Sequence, residues 1–216
     1  MFHVQLLPAG DSALLVQLPE RIDPDVNRWC LALGRVLAER VGGAIKDVVI
    51  GYCSVTVYFD PLSTDARWLE AEIRSIASDI GELAGEAGGF VEVPVCYGGE
   101  FGPDLADVAR FGNCSDGEVI AIHSSATYRV YMVGFVPGFA YLGRVDPRIT
   151  VPRHRVPRER VPAGSVGIAG EQTGVYPVES PGGWQLIGRT ATLMFDPNRH
   201  PASLLAAGEG VRFVPQ

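Results

Sequence analysis

Two groups of side chains in this sequence carry chemistry. From Arg144 to Arg160 there are six arginines, at 144, 148, 153, 155, 158 and 160, with His154 among them and only Asp146 and Glu159 opposing. A guanidinium presents a planar fork of donors that fits a carboxylate or phosphate, and Pro152, Pro157 and Pro162 stiffen the backbone between the arginines. The group reads as an anion or carboxylate site, or as a surface for an acidic partner. A solvated loop whose arginines pair with nearby acids has the same composition. The second group is His123-Ser124-Ser125, placed where a helix runs into a strand. A histidine beside a serine can move a proton, and a histidine in the last turn of a helix also simply suits the helix dipole. Phe135, Phe139, Tyr141 and Trp184 either line a pocket or form core, and Gln172, Thr173 and Tyr176 follow a run of glycines that lets backbone approach a ligand closely.

Several reaction classes are excluded. Of the 18 basic residues only Lys46 is a lysine, and Gly42-Gly43-Ala44-Ile45-Lys46-Asp47 does not fit a phosphate-binding loop. Gly164-Ser165-Val166-Gly167 lacks the spacing of a nucleophile elbow, there is no H-E-x-x-H, and the glycines at 164, 167, 170 and 174 do not make a dinucleotide fingerprint. A net charge of −7 argues against a generic nucleic-acid or anionic-membrane surface. Cys30, Cys53, Cys96 and Cys114 are scattered, as are the four histidines, so the reading is free thiols in a cytoplasmic protein with no metal site. No apolar stretch reaches the roughly 18 residues of a membrane span, and the N-terminus lacks the layout of a signal peptide.

The elements that must position these groups fall into two expected domains, 1–86 and 87–216. In the first, strands at 3–7 and 13–17 precede a helix opened by Asp23-Pro24, with Val26, Cys30, Leu33 and Leu37 on one stripe. Strands at 45–50 and 54–59 and a second amphipathic helix over 65–80 follow. The order ββαββα predicts an α+β sandwich, an antiparallel sheet with helices on one face. Gly81–Gly89 is the expected linker. In the second domain a strand at 91–95 leads to helices near 103–110 and 115–123, the latter opened by the capping box Ser115–Glu118. Short strands at 128–133, 164–169, 184–188, 191–195 and 211–214 then alternate with turns. Between Gly134 and Gly188, 17 of 55 residues are Gly or Pro, which excludes long helices and favours a closed, mainly-β barrel.

Five ordered segments carry a resemblance. They are Val95-Cys96-Tyr97-Gly98-Gly99-Glu100-Phe101-Gly102-Pro103-Asp104-Leu105, the stretch Tyr128 to Gly143, Val161 to Gly170, Gln172 to Pro177, and Ser180 to Thr190. Together they resemble the family of B-type 5-oxoprolinase subunits, also labelled allophanate hydrolase subunit 1 and including the sporulation-kinase inhibitor KipI. The resemblance implies a cyclophilin-like barrel for 87–216 and a heteromer with C-type and A-type proteins that hydrolyses 5-oxoproline to glutamate with ATP. The missing phosphate-binding loop and the lone lysine then point to ATP bound largely by a partner, and this chain is not expected to be active alone. Two other roles come with the resemblance: an accessory to allophanate or urea metabolism, and an inhibitor of a sensor histidine kinase. The implied pocket has His123 and Ser124 as catalytic candidates, with Tyr128, Phe135, Pro137, Phe139, Tyr141, Arg153, Arg158, Ser165, Gln172, Tyr176, Ser180 and Trp184 around the substrate. Arg144-Val145 and Glu171 depart from the expected pattern, and Glu171 would add a carboxylate beside that pocket.

Overall fold

The computed structural model describes residues 2–80 and 89–216. The chain divides into two compact units, Met1–Glu86 and Ala87–Gln216. All of the expected linker except Gly89 lies outside the described residues.

The first unit contains strands β1 (Gln5–Pro8) and β2 (Ala13–Gln17), helix α1 (Pro24–Val41), strands β3 (Asp47–Ile50) and β4 (Ser54–Tyr58), and helix α2 (Ala66–Asp79). The four strands form one antiparallel sheet in the order β1-β2-β4-β3. α1 starts where Asp23 accepts from the Asp25 and Val26 amides and Pro24 supplies a ready-made helical φ. Its stripe of Val26, Cys30, Leu33 and Leu37 is buried together with Leu69, Ile73 and Ile76 of α2 and with Val16, Val55 and Val57 of the sheet. Gly34 explains how closely α1 and the sheet can approach, since a Cβ there would stand 2.9 Å from the Ile50 side chain. The helices thus cover one face of the sheet, as the sequence predicts.

The second unit begins with β5 (Phe90–Tyr97), α3 (Leu105–Phe111), α4 (Asp116–Ser125), β6 (Thr127–Val133) and β7 (Ala140–Gly143). It continues through β8 (Arg158–Val161), β9 (Ser165–Ala169), β10 (Gln172–Val175), β11 (Ser180–Gly182), β12 (Gln185–Arg189) and β13 (Gly210–Pro215). Seven of these strands close a barrel in the order β10-β7-β6-β13-β5-β12-β9, while β8 and β11 pair as a separate two-stranded ribbon. The barrel core holds Val93, Val95, Val130, Leu142, Val166, Ile168, Val175, Ile187, Val211 and Phe213, joined by Leu105, Val108 and Val119 from the two helices. Each strand alternates, so residues next to these point outward. The capping box on α4 is present, with Ser115 and Glu118 exchanging hydrogen bonds. Residues 191–195, expected as a strand, make only one isolated bridge from Phe195 to Ser203.

Candidate active site

The Gly/Pro-rich segment builds a second, smaller core on the outer wall of the barrel. Phe139, Tyr176 and Trp184 are buried there with Val161, Ala169 and Leu186, and Tyr141 packs against them half-buried. The rings meet edge-to-face, with centroids 4.7 Å apart for Phe139–Tyr141, 5.2 Å for Phe139–Tyr176 and 5.4 Å for Phe139–Trp184. Glycine makes the space. A Cβ on Gly174 of β10 would lie 3.3 Å from both the Phe139 and Trp184 rings and 2.8 Å from the Ala140 carbonyl, and one on Gly167 of β9 would lie 3.1 Å from Trp184. Gly182 of β11 is needed for the same reason, because a side chain there would collide with the Tyr176 ring and hydroxyl.

Over this aromatic floor runs the loop between β7 and β8. The exposed Arg153 places its guanidinium 5.9 Å from the centre of the Trp184 ring, a cation–π contact that leaves its donors turned to solvent. The loop is held by Gln185 Nε2 donating to the Pro152 carbonyl (3.0 Å) and by the His154 amide donating to Gly183 (2.8 Å). Beneath it lies a carboxylate that the sequence reading missed. Asp104, 4% exposed, accepts from the Leu186 amide at 2.6 Å and from Arg158 Nη2 at 2.6 Å, and lies 3.3 Å from His154 Nε2. The Asp104 amide also donates to the Leu186 carbonyl (2.9 Å), and a Cβ on Gly102 would run into Ile187, so this turn lies flush against β12.

An aspartate at a helix start ordinarily caps the first amides. Asp104 stands at that position on α3 and makes no cap. A Gly-Pro-Asp helix opening in the sequence hides its diversion to Arg158, His154 and β12.

The candidate pocket residues do not all come together. Phe139, Tyr141, Tyr176, Trp184, Arg153 and Arg158 do. Phe135 joins them at the rim: it is 60% exposed, lies edge-on to Phe139 at 5.6 Å, and adopts φ +76°. A bulky residue in that region of φ is uncommon, and such outliers concentrate at functional sites. Pro137 is exposed on the same turn, and Gln172 is half-buried on β10. Ser165 is buried on β9, and Ser180 on β11, where its Oγ has no partner among the described residues.

His123, Ser124 and Tyr128 lie apart from the aromatic cluster. Thr173 and Val175 of β10 face the barrel core while Gly174 faces the aromatic cluster, and His123 bonds to Thr173, so the wall of the barrel separates it from Trp184. His123 is fully buried, stacked on Phe213 at 4.6 Å. Both ring nitrogens are engaged. Thr173 donates its hydroxyl to the Gly167 carbonyl (3.0 Å), so it accepts from His123 Nε2–H (2.8 Å), and Nδ1 accepts from the Tyr97 hydroxyl (2.7 Å). That is a neutral imidazole with every polar atom satisfied, and burial pushes its pKa down to about 3. Ser124 Oγ donates to the Ile120 carbonyl one turn back (2.8 Å). Tyr128 donates to the His123 carbonyl (3.0 Å) inside the core.

The arginine run also divides. Arg144 pairs with Glu171 (3.2 Å), Arg148 with Asp146 (2.9 Å) and Arg160 with Glu179 (2.7 Å), all exposed, so for these three the solvated-loop reading holds. Arg144, Asp146, Thr150 and Glu171 line an open cavity of about 520 Å³ whose charged groups are thereby paired. Arg153 and Arg158 alone of the six meet the aromatic cluster.

The chain has counterparts among known proteins. Residues 4–205 match the model of the carboxyltransferase domain, subdomain C and D. The chain belongs to this family. It is 42% identical to the B-type subunit of 5-oxoprolinase from Bacillus subtilis (strain 168), covering 97% of this chain and 92% of the relative. It is 40% identical to the protein of the same name from Haemophilus influenzae, covering 98% and 97%. Among solved structures, TTHA0988 superposes with a TM-score of 0.82 at 35% identity over 94% of this chain. The match spans 39% of TTHA0988, so there this subdomain pair is one part of a longer polypeptide. All five segments that carry the resemblance lie within the matched residues.

Proposed function

We propose that this chain is the B-type subunit of a heteromeric, ATP-dependent 5-oxoprolinase, which opens the lactam of 5-oxoproline to L-glutamate in the cytoplasm together with C-type and A-type subunits. The observation that carries this reading is the identity of 40% or more, end to end, to proteins named for that role. The site supports it on chemical grounds. 5-Oxoproline is a small, flat lactam bearing one carboxylate, and an arginine fork over an indole plane suits such a molecule: the ring lies against aromatic faces while the carboxylate takes the guanidinium. Arg153 is the exposed fork, Tyr141 and Phe135 the accessible rings, and Gln172 and Ser180 the polar groups nearest in sequence and sheet position to meet the amide.

The residues present fit a partner-bound nucleotide better than one held here. The single lysine, Lys46, belongs to the first unit and pairs with Asp60 at 3.2 Å, and among the described residues no glycine-rich phosphate loop opens a helix. Catalysis then requires assembly. Co-expressed with C-type and A-type partners, the tagged chain is expected to co-purify with the C-type protein in fixed stoichiometry. Recovery of the tagged chain alone, from cells in which both partners are soluble, would contradict the heteromer.

A further inference from the structure

With His123 sealed in the core, the site as described lacks a proton carrier, and the structure supplies one that the resemblance did not name. His154 sits on the loop that also carries Arg153, with 29% of its side chain exposed. Its Nε2 faces Oδ2 of Asp104 at 3.3 Å, and that carboxylate is only 5% exposed. Asp104 is itself fixed by the Leu186 amide and by Arg158, so it cannot swing away from the ring. A carboxylate in this position sets the tautomer: Nε2 carries the hydrogen and Nδ1 keeps its lone pair. Among the described residues Nδ1 has no protein partner. A partly exposed imidazole with one nitrogen oriented by a buried carboxylate and the other open is the arrangement that proton transfer requires.

We propose that His154, positioned by Asp104, is the proton-transfer residue that this chain presents to the lactam; the proposal rests on the 5-oxoprolinase reading. In the step assigned to it, water forms a bond from its oxygen to the lactam carbonyl carbon and its proton passes to Nδ1. The carbon–nitrogen bond of the ring then breaks, and Nδ1 returns the proton to the departing nitrogen. Opening the lactam consumes one water and nothing is oxidised or reduced; hydrolysis of the nucleoside triphosphate to diphosphate and phosphate, elsewhere in the complex, consumes a second water and supplies the drive. Arg153, on the same loop, would hold the substrate carboxylate. The charged and titratable groups around His154 are Asp104 at the start of α3, Arg158 on β8, and Arg153 and Arg155 on its own loop; Tyr141 and Tyr176 stand beyond Arg153.

The test uses the assembled complex. His154→Gln keeps a polar side chain that cannot titrate, and it is expected to lower kcat by about 10²-fold or more with KM changed by less than about threefold. Asp104→Asn is expected to lower kcat by roughly tenfold with KM little changed, as a positioning residue does. Should His154→Gln fail to assemble, His154→Ala with added imidazole decides the matter, since a proton carrier is restored by free imidazole and a structural residue is not. An active wild-type complex whose His154→Gln variant matches it in kcat, or a His154→Ala variant deaf to imidazole, overturns the assignment alone. A wild-type complex that forms no glutamate overturns the 5-oxoprolinase reading and the assignment with it.

Discussion

Replacing His123 by alanine is expected to speed amide exchange in α4 and β10 by hundreds- to about a thousandfold, equivalent to about 3–4 kcal/mol of lost stability in the barrel unit. Two effects add. The truncation leaves a hole beside Phe213, against which the imidazole stacks, and it orphans the Tyr97 hydroxyl in a buried setting. Burial already holds the Tyr97 phenol well above its ordinary pKa, so it remains a donor that needs an acceptor. The same substitution is expected to leave turnover per folded complex unchanged, which separates a core histidine from a catalytic one.

The buried imidazole also sets a pH dependence whose sign is fixed. In the unfolded chain a histidine takes up a proton below about 6.5, whereas in the folded chain His123 does so only near 3. Its contribution is therefore complete above pH 6.5 and is lost as the pH falls from there towards 3, by about 1.4 kcal/mol per pH unit within the window. Urea midpoints at pH 7 and pH 5 check this: wild type should lose more stability between the two than His123→Gln, which has no group to protonate. Equal losses would show that His123 is not held neutral by the core.

The second large effect is expected at Asp104. Removing its carboxylate by alanine leaves the Leu186 amide without its side-chain acceptor and frees Arg158 and His154. Hydrogen bonds to a charged acceptor contribute about 1.5–3 kcal/mol each, and Arg158, being partly exposed, recovers some of its share from water. A net loss of about 3 kcal/mol is expected, concentrated where the carboxylate acts. Exchange should rise first in the loop 152–157, then in β8, β11 and the start of β12, with β13 and β5 least affected. A uniform rise across the whole barrel would mean that Asp104 supports the fold generally and does not organise this face.

How much of this is legible in the residues depends on whether the signal is local. α1 and α2 announce themselves through Asp23-Pro24 and through apolar stripes, and β4 alternates cleanly while β2 and β3 are short apolar runs bounded by turns. The sheet with helices on one face follows from these. In the second unit β7, β10 and β11 escape a reading of the sequence, because Ala140–Gly143, Gln172–Val175 and Ser180–Gly182 are three or four residues long and contain glycine or proline. Their strand character comes from neighbours in the barrel or ribbon. Conversely, Leu193 and Met194 look like strand residues, yet the chain there is pinned by single hydrogen bonds such as Leu204 to Met194. Part of the Gly/Pro density has a packing reason: Gly174 and Gly182 are there because rings occupy the space their side chains would fill.

The site follows the same logic. Arg153, Arg158, Trp184 and the aromatic residues are reachable from composition and motif, since each lies within one Gly/Pro-rich stretch. His123 misleads because a histidine before Ser-Ser at a helix end looks accessible; only the Tyr97 and Thr173 contacts, 26 and 50 residues away in sequence, reveal it as core. Asp104 and His154 escape as a pair for the mirror-image reason, being 50 residues apart and joined only by the fold.

The central claim is that this chain is an indispensable part of an enzyme that converts 5-oxoproline to glutamate at the expense of ATP. The most direct measurement is glutamate formed from 5-oxoproline, with ADP followed in parallel, by purified A-type and C-type proteins with and without this chain. The account predicts ATP-dependent glutamate formation by the complete set and none above background when this chain is left out. Equal glutamate formation by the two partner proteins alone, or none by the complete set, would contradict it.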